Sequence, residues 1–168
     1  TQDCANRFAS ASAMFGFPFH QPFPDLDRVQ CLLIVGTNPV VSKWTFLQVA
    51  HPVKRLKQIK ARGGRIIAID PRHNETARVA GEPQLIKPNS DVFFFLSFLC
   101  EVFARSTCDE QTISRHMTGL EALRDLAGQW PAERTAGVTG IAPPQLRALV
   151  DAFTGAEGAA IVTGTGLG

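Results

Sequence analysis

The chain has 168 residues, of which 45% are hydrophobic and 19% charged, and its formal net charge is +2. That balance suits one folded core and excludes a disordered acidic or basic tail, as well as polyanion binding through bulk charge. No apolar run reaches the roughly 18 residues that a membrane span requires, so no direct membrane span is expected.

Residues 1–30 read as an irregular lead-in, where alternating Phe and Pro over 17–24 predict an extended segment packed on the surface. Residues 31–35, CLLIV, form the first strand, and an aliphatic run of this kind predicts a strand buried on both faces. The loop Gly36-Thr37-Asn38-Pro39 follows, where a residue without a β-carbon admits close approach and short polar side chains can bond phosphate or ribose. The same four residues also make an ordinary turn. Trp44 and Phe46 read as packing residues, with an aromatic flanking a ring of a ligand at the first loop as the alternative.

Residues 52–61 predict a helix, with Pro52 suited to the first turn and Val53, Leu56 and Ile59 on one face. Arg62-Gly63-Gly64 stops it, and residues 65–69 form a second strand, which completes a right-handed βαβ unit. That strand ends in Asp70-Pro71-Arg72, where the carboxylate can accept from ribose hydroxyls or a base edge and the guanidinium can pair with pyrophosphate. A turn with a surface ion pair is the alternative. Ligands of open α/β sheets bind at such strand ends, and two of them side by side outline a nucleotide site.

A short helix is expected over 75–79 and a third short strand over 84–86. Ser90 or Asp91 then opens a helix over 92–103 that is apolar almost all round and is therefore expected to be buried. This helix start suits either an anion or plain N-capping. Residues 109–116, 120–127 and 143–153 predict three more helices, and 159–163 a last strand running into the run Gly164-Thr165-Gly166-Leu167-Gly168.

Cys4, Cys31, Cys100 and Cys108 form no CxxC pair and have no His at zinc-like offsets, so no structural metal is expected and free thiols are the favoured reading. Pairing of Cys100 with Cys108 stays open. Of the histidines, His73 directly follows Asp-Pro-Arg and reads as a ligand neighbour, whereas His20 and His116 read as structural. Lys54, Arg55, Lys57, Lys60 and Arg62 read as a solvated helix face that complements the helix dipole, and no nucleic-acid partner is expected. The first loop lacks GxGxxG, which disfavours a nicotinamide dehydrogenase.

In order, Pro24-Asp25-Leu26, Gly36-Thr37-Asn38-Pro39, Arg62-Gly63-Gly64, Asp70-Pro71-Arg72 with Glu75-Thr76-Ala77, Lys87-Pro88-Asn89-Ser90-Asp91, Thr139-Gly140-Ile141 and Gly164-Thr165-Gly166 resemble the molybdopterin oxidoreductases of the dimethyl sulfoxide reductase superfamily. The resemblance spans essentially the whole chain. It implies an α/β fold, a Rossmann-like three-layer unit with a mostly parallel sheet and helices on both faces. Residues 1–168 are expected to form a single α/β domain of a larger catalytic subunit, with 31–168 as its dinucleotide-binding unit; the start at Thr1 and the stop inside a glycine run fit a piece of a longer polypeptide.

The implied cofactor is molybdopterin guanine dinucleotide, two copies of which hold molybdenum in the whole enzyme, and a 4Fe-4S cluster belongs to an expected N-terminal domain. By resemblance Gly36, Thr37, Asn38, Pro39 and Ser42 contact the dinucleotide; Asp70, Pro71, Arg72 and His73 meet its nucleotide part; Asn89, Ser90 and Asp91 serve the guanosine; Gly164, Thr165 and Gly166 approach from the last strand. The implied activity is two-electron redox or oxygen-atom transfer at molybdenum in the full-length protein; this piece alone is expected to carry neither the activity nor the cofactor. The implied partners are the remaining domains and an electron-transfer subunit, in the bacterial cytoplasm or periplasm, with the cytoplasm favoured. A non-catalytic nucleotide-binding or interaction module of the same fold is the alternative.

One departure stands out. The residue at the family's molybdenum-ligand position is Ala9, whose methyl cannot ligate a metal. Three readings follow: a metal without a protein ligand, as in the arsenite oxidase branch; a shifted match with Cys4 as ligand; or lost catalysis. The first is favoured.

Overall fold

The computed structural model describes residues 4–43, 47–164 and 167. Two compact units make up the chain, residues 1–84 with 156–168 and residues 85–155. Locally packed helices account for the second unit, because their contacts close among themselves.

The first unit begins with helix α1 (Ala5–Phe15), in the stretch expected to be irregular. Its sequence ANRFASASAMF is small and polar enough to hide the helical period, and Ala11 is its buried residue. The segment after it bears exposed Phe17, Phe19 and Phe23, and Phe19 meets Phe8 of α1 edge-on at 5.0 Å.

Strand β1 (Cys31–Val35) is buried at every residue, as an aliphatic strand flanked on both sides must be. It runs parallel to β2 (Arg65–Asp70), with Cys31 opposite Arg65 and Val35 opposite Ile69. On its other side it runs parallel to β4 (Ala159–Thr163), with Cys31 opposite Ala159 and Val35 opposite Thr163. Strand β3 (Glu82–Leu85) completes the order β3-β2-β1-β4 in a parallel sheet flanked by helices. It lies earlier than the expected 84–86, and Pro83 is tolerated there because β3 is an edge strand.

Between these strands run α2 (Pro39–Ser42), α3 (Pro52–Ala61) and α4 (Glu75–Val79). Leu56 and Ile59 of α3 are fully buried, joining Leu32, Ile34, Ile66 and Val162 in the core. Each such side chain contributes about 1.5–3 kcal/mol by leaving water. Arg62 is exposed, as its place in the last turn implies, and it also makes tertiary bonds: its Nη2 donates to the carbonyls of Leu26 at 2.6 Å and Val29 at 2.8 Å. It ties the end of α3 to the lead-in of β1.

In the second unit, α5 (Asp91–Ala104) packs against α7 (Leu120–Gly128), α8 (Ala132–Thr139) and α9 (Pro143–Thr154), with α6 (Glu110–His116) preceding α7. Helix α8 escapes sequence reading because Gly137 and β-branched Thr and Val weaken its local preference. The expectation that α5 is buried all round does not hold, since Val92 is 59% exposed while Phe94 and Phe98 are covered. Its covered face also carries Glu101, which accepts from Arg105 at 2.8 Å and from Arg147 at 3.0 Å. All four cysteines are free; Cys31 is buried, and burial pushes its thiol up.

Candidate functional site at the strand ends

The chain leaves β1 toward β2 and β3 on one side and returns with β4 on the other. The crossover direction therefore reverses at β1, and the crevice outside the carboxyl ends of β1 and β4 is the topological switch point where open α/β sheets bind ligands.

At this point Gly36 is exposed at φ +61°, and its N–H donates to Ile69 O at 2.9 Å. Gly164 donates its N–H to Val35 O at 3.0 Å. A β-carbon on Gly164 would overlap the Gly36 carbonyl oxygen, so the two loops meet backbone to backbone. The Leu167 side chain lies beside Gly36, 3.3 Å from where a β-carbon would stand. Thr165 and Gly166 lie outside the described residues.

Thr37 is 6% exposed, and its Oγ1 has no hydrogen-bond partner among the described residues. A buried hydroxyl left unbonded costs about 1–3 kcal/mol, so this atom stands ready for a ligand oxygen or nitrogen. Asn38 is used differently. Its Oδ1 accepts from the Thr76 hydroxyl at 2.8 Å and the Thr76 N–H at 3.2 Å, and its Nδ2 donates to Glu75 Oε2 at 2.5 Å. Pro39 opens α2, and Val40 N–H donates to Thr76 Oγ1 at 3.1 Å. Ser42 closes α2 with its N–H on Asn38 O at 2.8 Å.

At the end of β2 the Asp70 carboxylate folds back on its own turn. Oδ1 accepts from Arg72 N–H and Oδ2 from Asn74 Nδ2, both at 2.9 Å. Pro71, Arg72 and His73 are exposed, and Arg72 Nη2 sits 3.4 Å from Glu75 Oε2. The Glu75 carboxyl is held below its usual range chiefly by its own backbone N–H at the start of α4, then by Asn38, with Arg72 adding to the effect. The side chains of Asn38 and Asp70 thus have structural duties that their place in the sequence does not reveal.

Sequence reasoning passed over Asn74 and Arg7. Asn74 caps α4, its Oδ1 accepting from Ala77 N–H at 2.9 Å, and the signal was present as Asn followed by an acid at the start of a helix. Arg7 of α1 donates Nη2 to Thr163 O at 2.6 Å, which docks α1 at the end of β4. Arg7 and Ala11 line a cavity of about 440 Å³ with residues of β4. Ala9 is exposed, and five residues separate it from the partly buried Cys4 at the start of α1. That spacing is roughly 140° around a helix axis, so the two positions are not interchangeable.

Asn89, Ser90 and Asp91 belong to the second unit. Asn89 is exposed at φ +60°. Ser90 stands at the N-cap of α5, but its hydroxyl donates to Lys87 O at 2.6 Å and caps nothing; Asp91 is the first residue of the helix. Two motifs far apart in sequence meet here, since Lys87 N–H donates to Thr139 O and Lys87 Nζ to Gly137 O, each at 2.8 Å. Among the described residues no cluster of three His, Cys, Asp or Glu could hold a metal ion, and no helix is long and apolar enough to cross a membrane.

A parallel sheet in the order 3-2-1-4 flanked by helices, with glycine-lined loops at its switch point, defines a Rossmann-like α/β unit. No family model matches the chain. Among curated proteins it is 30% identical over 140 residues to the formate dehydrogenase 2 subunit alpha of Methanococcus maripaludis, covering 82% of this chain and 20% of the relative. It is 25% identical over 145 residues to formate dehydrogenase H of Escherichia coli, covering 85% of this chain and 19% of the relative. The solved structure of acetylene hydratase from Pelobacter acetylenicus superposes with a TM-score of 0.80 at 21% identity, over 96% of this chain and 21% of that one. The chain belongs to the molybdopterin oxidoreductases of the dimethyl sulfoxide reductase superfamily, which include formate dehydrogenases and nitrate reductases. It spans about a fifth of the length of the curated relatives.

Proposed function

We propose that this chain is the part of a molybdenum-dependent oxidoreductase that holds one molybdopterin guanine dinucleotide, cradled at the carboxyl ends of β1, β2 and β4. The observation that carries this reading is the buried Thr37 hydroxyl, without a partner among the described residues, at the switch point of the sheet. The residues suit a phosphate- or ribose-bearing ligand. Thr37 offers a donor and an acceptor, Gly36 and Gly164 keep side chains of their own away from the crevice, and exposed Arg72 supplies positive charge beside the neighbouring strand end.

In this reading the chain's task is binding and orientation. Thr37 and the backbone around Gly36 hold the polar part of the ligand, and Asp70 and Asn38 keep the two loops in shape. When bound, the cofactor supplies the metal at which two-electron redox or oxygen-atom transfer takes place. The other domains and an electron-transfer subunit complete the enzyme, so the chain alone is inactive. Ala9 offers no ligating atom, which favours a metal centre without a protein ligand from α1. The same observation also favours a second reading, a nucleotide-binding module of this fold without catalysis.

Calorimetry with GDP, together with metal analysis of the purified chain, tests the proposal. The chain is expected to purify without molybdenum and to bind GDP, and Thr37→Val to weaken that binding several-fold while raising the melting temperature of the ligand-free chain, because it removes a buried unbonded hydroxyl. Absence of GDP binding would overturn the cradle, and stoichiometric molybdenum with turnover would overturn the division of labour.

A further inference from the structure

We infer that Asn74 is the positioning residue of the strand-end site, the group that holds the β1 loop and the β2 turn in one arrangement. This rests on the reading of those ends as a nucleotide cradle. Asn74 is completely buried. Its Oδ1 accepts from Ala77 N–H at 2.9 Å, and because that partner is a donor the amide oxygen must face it. Nδ2 therefore faces the opposite way, toward two acceptors: Asp70 Oδ2 at 2.9 Å, at the end of β2, and Thr37 O at 3.4 Å, at the end of β1.

Capping α4 does not require asparagine. Ser, Thr and Asp cap helices comparably well, since a cap needs only an acceptor oxygen. What Asn adds is a pair of amide protons on the far side of the same group. Both are directed at loops that sit 37 and four residues away in the chain. Asp cannot donate there, and the hydroxyl of Ser or Thr carries one proton on a shorter stem.

The chemistry of the position thus exceeds its capping duty, and the excess goes to the two strand ends. Thr37 is tied by its carbonyl to Asn74 while its own hydroxyl stays unbonded. The position of that hydroxyl is therefore set by Asn74. Asp70 is held by Asn74 on one oxygen and by the Arg72 N–H on the other. Asn74 touches no ligand in this account and acts through Thr37 and Asp70.

The test compares Asn74→Thr, Asn74→Asp and Asn74→Ala in the full chain, by amide spectra without ligand, by calorimetry with GDP, and by thermal melting. Asn74→Thr keeps the cap but loses both donor bonds, so the α4 resonances stay near those of the unsubstituted chain and the melting temperature falls less than in Asn74→Ala, while the Gly36, Thr37 and Asn38 amides shift and GDP binds about tenfold more weakly. Asn74→Asp gives the same loop shifts, and Asn74→Ala loses the cap as well. Unchanged Gly36 to Asn38 resonances in both capping variants would overturn the inference, as would GDP affinity that falls only in step with melting temperature. If the unsubstituted chain binds no GDP, the nucleotide reading fails by itself and the ligand-free spectra still decide whether Asn74 couples the loops. Should Asn74→Asp fail to fold, Asn74→Thr decides.

Discussion

Thr76 gives its hydroxyl proton to Asn38 Oδ1 at 2.8 Å while its backbone N–H reaches the same oxygen at 3.2 Å, so a side chain of α4 closes the loop that follows β1. The same hydroxyl accepts from Val40 N–H, which makes Thr76, itself fully buried, the centre of three hydrogen bonds.

Thr76→Val keeps the shape and removes two of those bonds, leaving Val40 N–H without its acceptor. A loss of about 1–3 kcal/mol is expected in urea denaturation, with a smaller loss for Thr76→Ser. Equal stability of Thr76→Val and the unsubstituted chain would show that the loop is held by other means.

Gly164→Ala drives a methyl into the Gly36 carbonyl, a backbone atom that cannot turn aside. About 1–3 kcal/mol of destabilisation is expected, as for an overpacked core. Gly137→Ala is the control. It lies inside α8 with nothing within 4 Å of an added β-carbon, so it should gain up to about 1 kcal/mol from helix propensity. Parallel thermal and chemical unfolding of the two variants reads both signs.

Acid should weaken the fold through Glu75, whose folded-state carboxyl lies below its ordinary value of 4.5. The unfolded chain takes up this proton more readily than the folded one. The stabilising contribution is therefore complete above the unfolded value and is lost as pH falls through the folded value. Asp109, held low by the Thr112 hydroxyl, and Glu133, held low by Arg147, act in the same direction. Melting temperature should drop from about pH 5 downward, with a shallower acid limb in Glu75→Gln. Superimposable limbs for the two proteins would remove Glu75 from the account.

Strands β1 and β4 and helix α3 were legible residue for residue, and β2 and α9 to within one residue at one end, because aliphatic runs, helical spacing and punctuation by Pro and Gly are local signals. Helices α1 and α8 were not, since runs of Ala, Ser, Thr and Gly carry little period and take their helical form from packing. Arg62 shows the same limit at a single residue. Its place in the last turn of a helix announces an exposed cation, but not that the Leu26 and Val29 carbonyls come within reach of it.

The sequence by itself determined the parallel strands, the loops at their ends and the family, all of which rest on residues adjacent in the chain. Only the tertiary structure decided which polar side chains in those loops are consumed by the fold. Asn38, Asp70 and Ser90 looked alike as ligand groups, yet Asn38 is spent on α4, Asp70 on its turn and Asn74, and Ser90 on Lys87 O. Thr37 is left over, buried with an unbonded hydroxyl. The reason is physical: every buried donor and acceptor must be matched, and Asn38 finds its partners in a turn more than thirty residues away that it meets only when the sheet has formed, while Asp70 and Ser90 are satisfied within their own turns once those turns take shape.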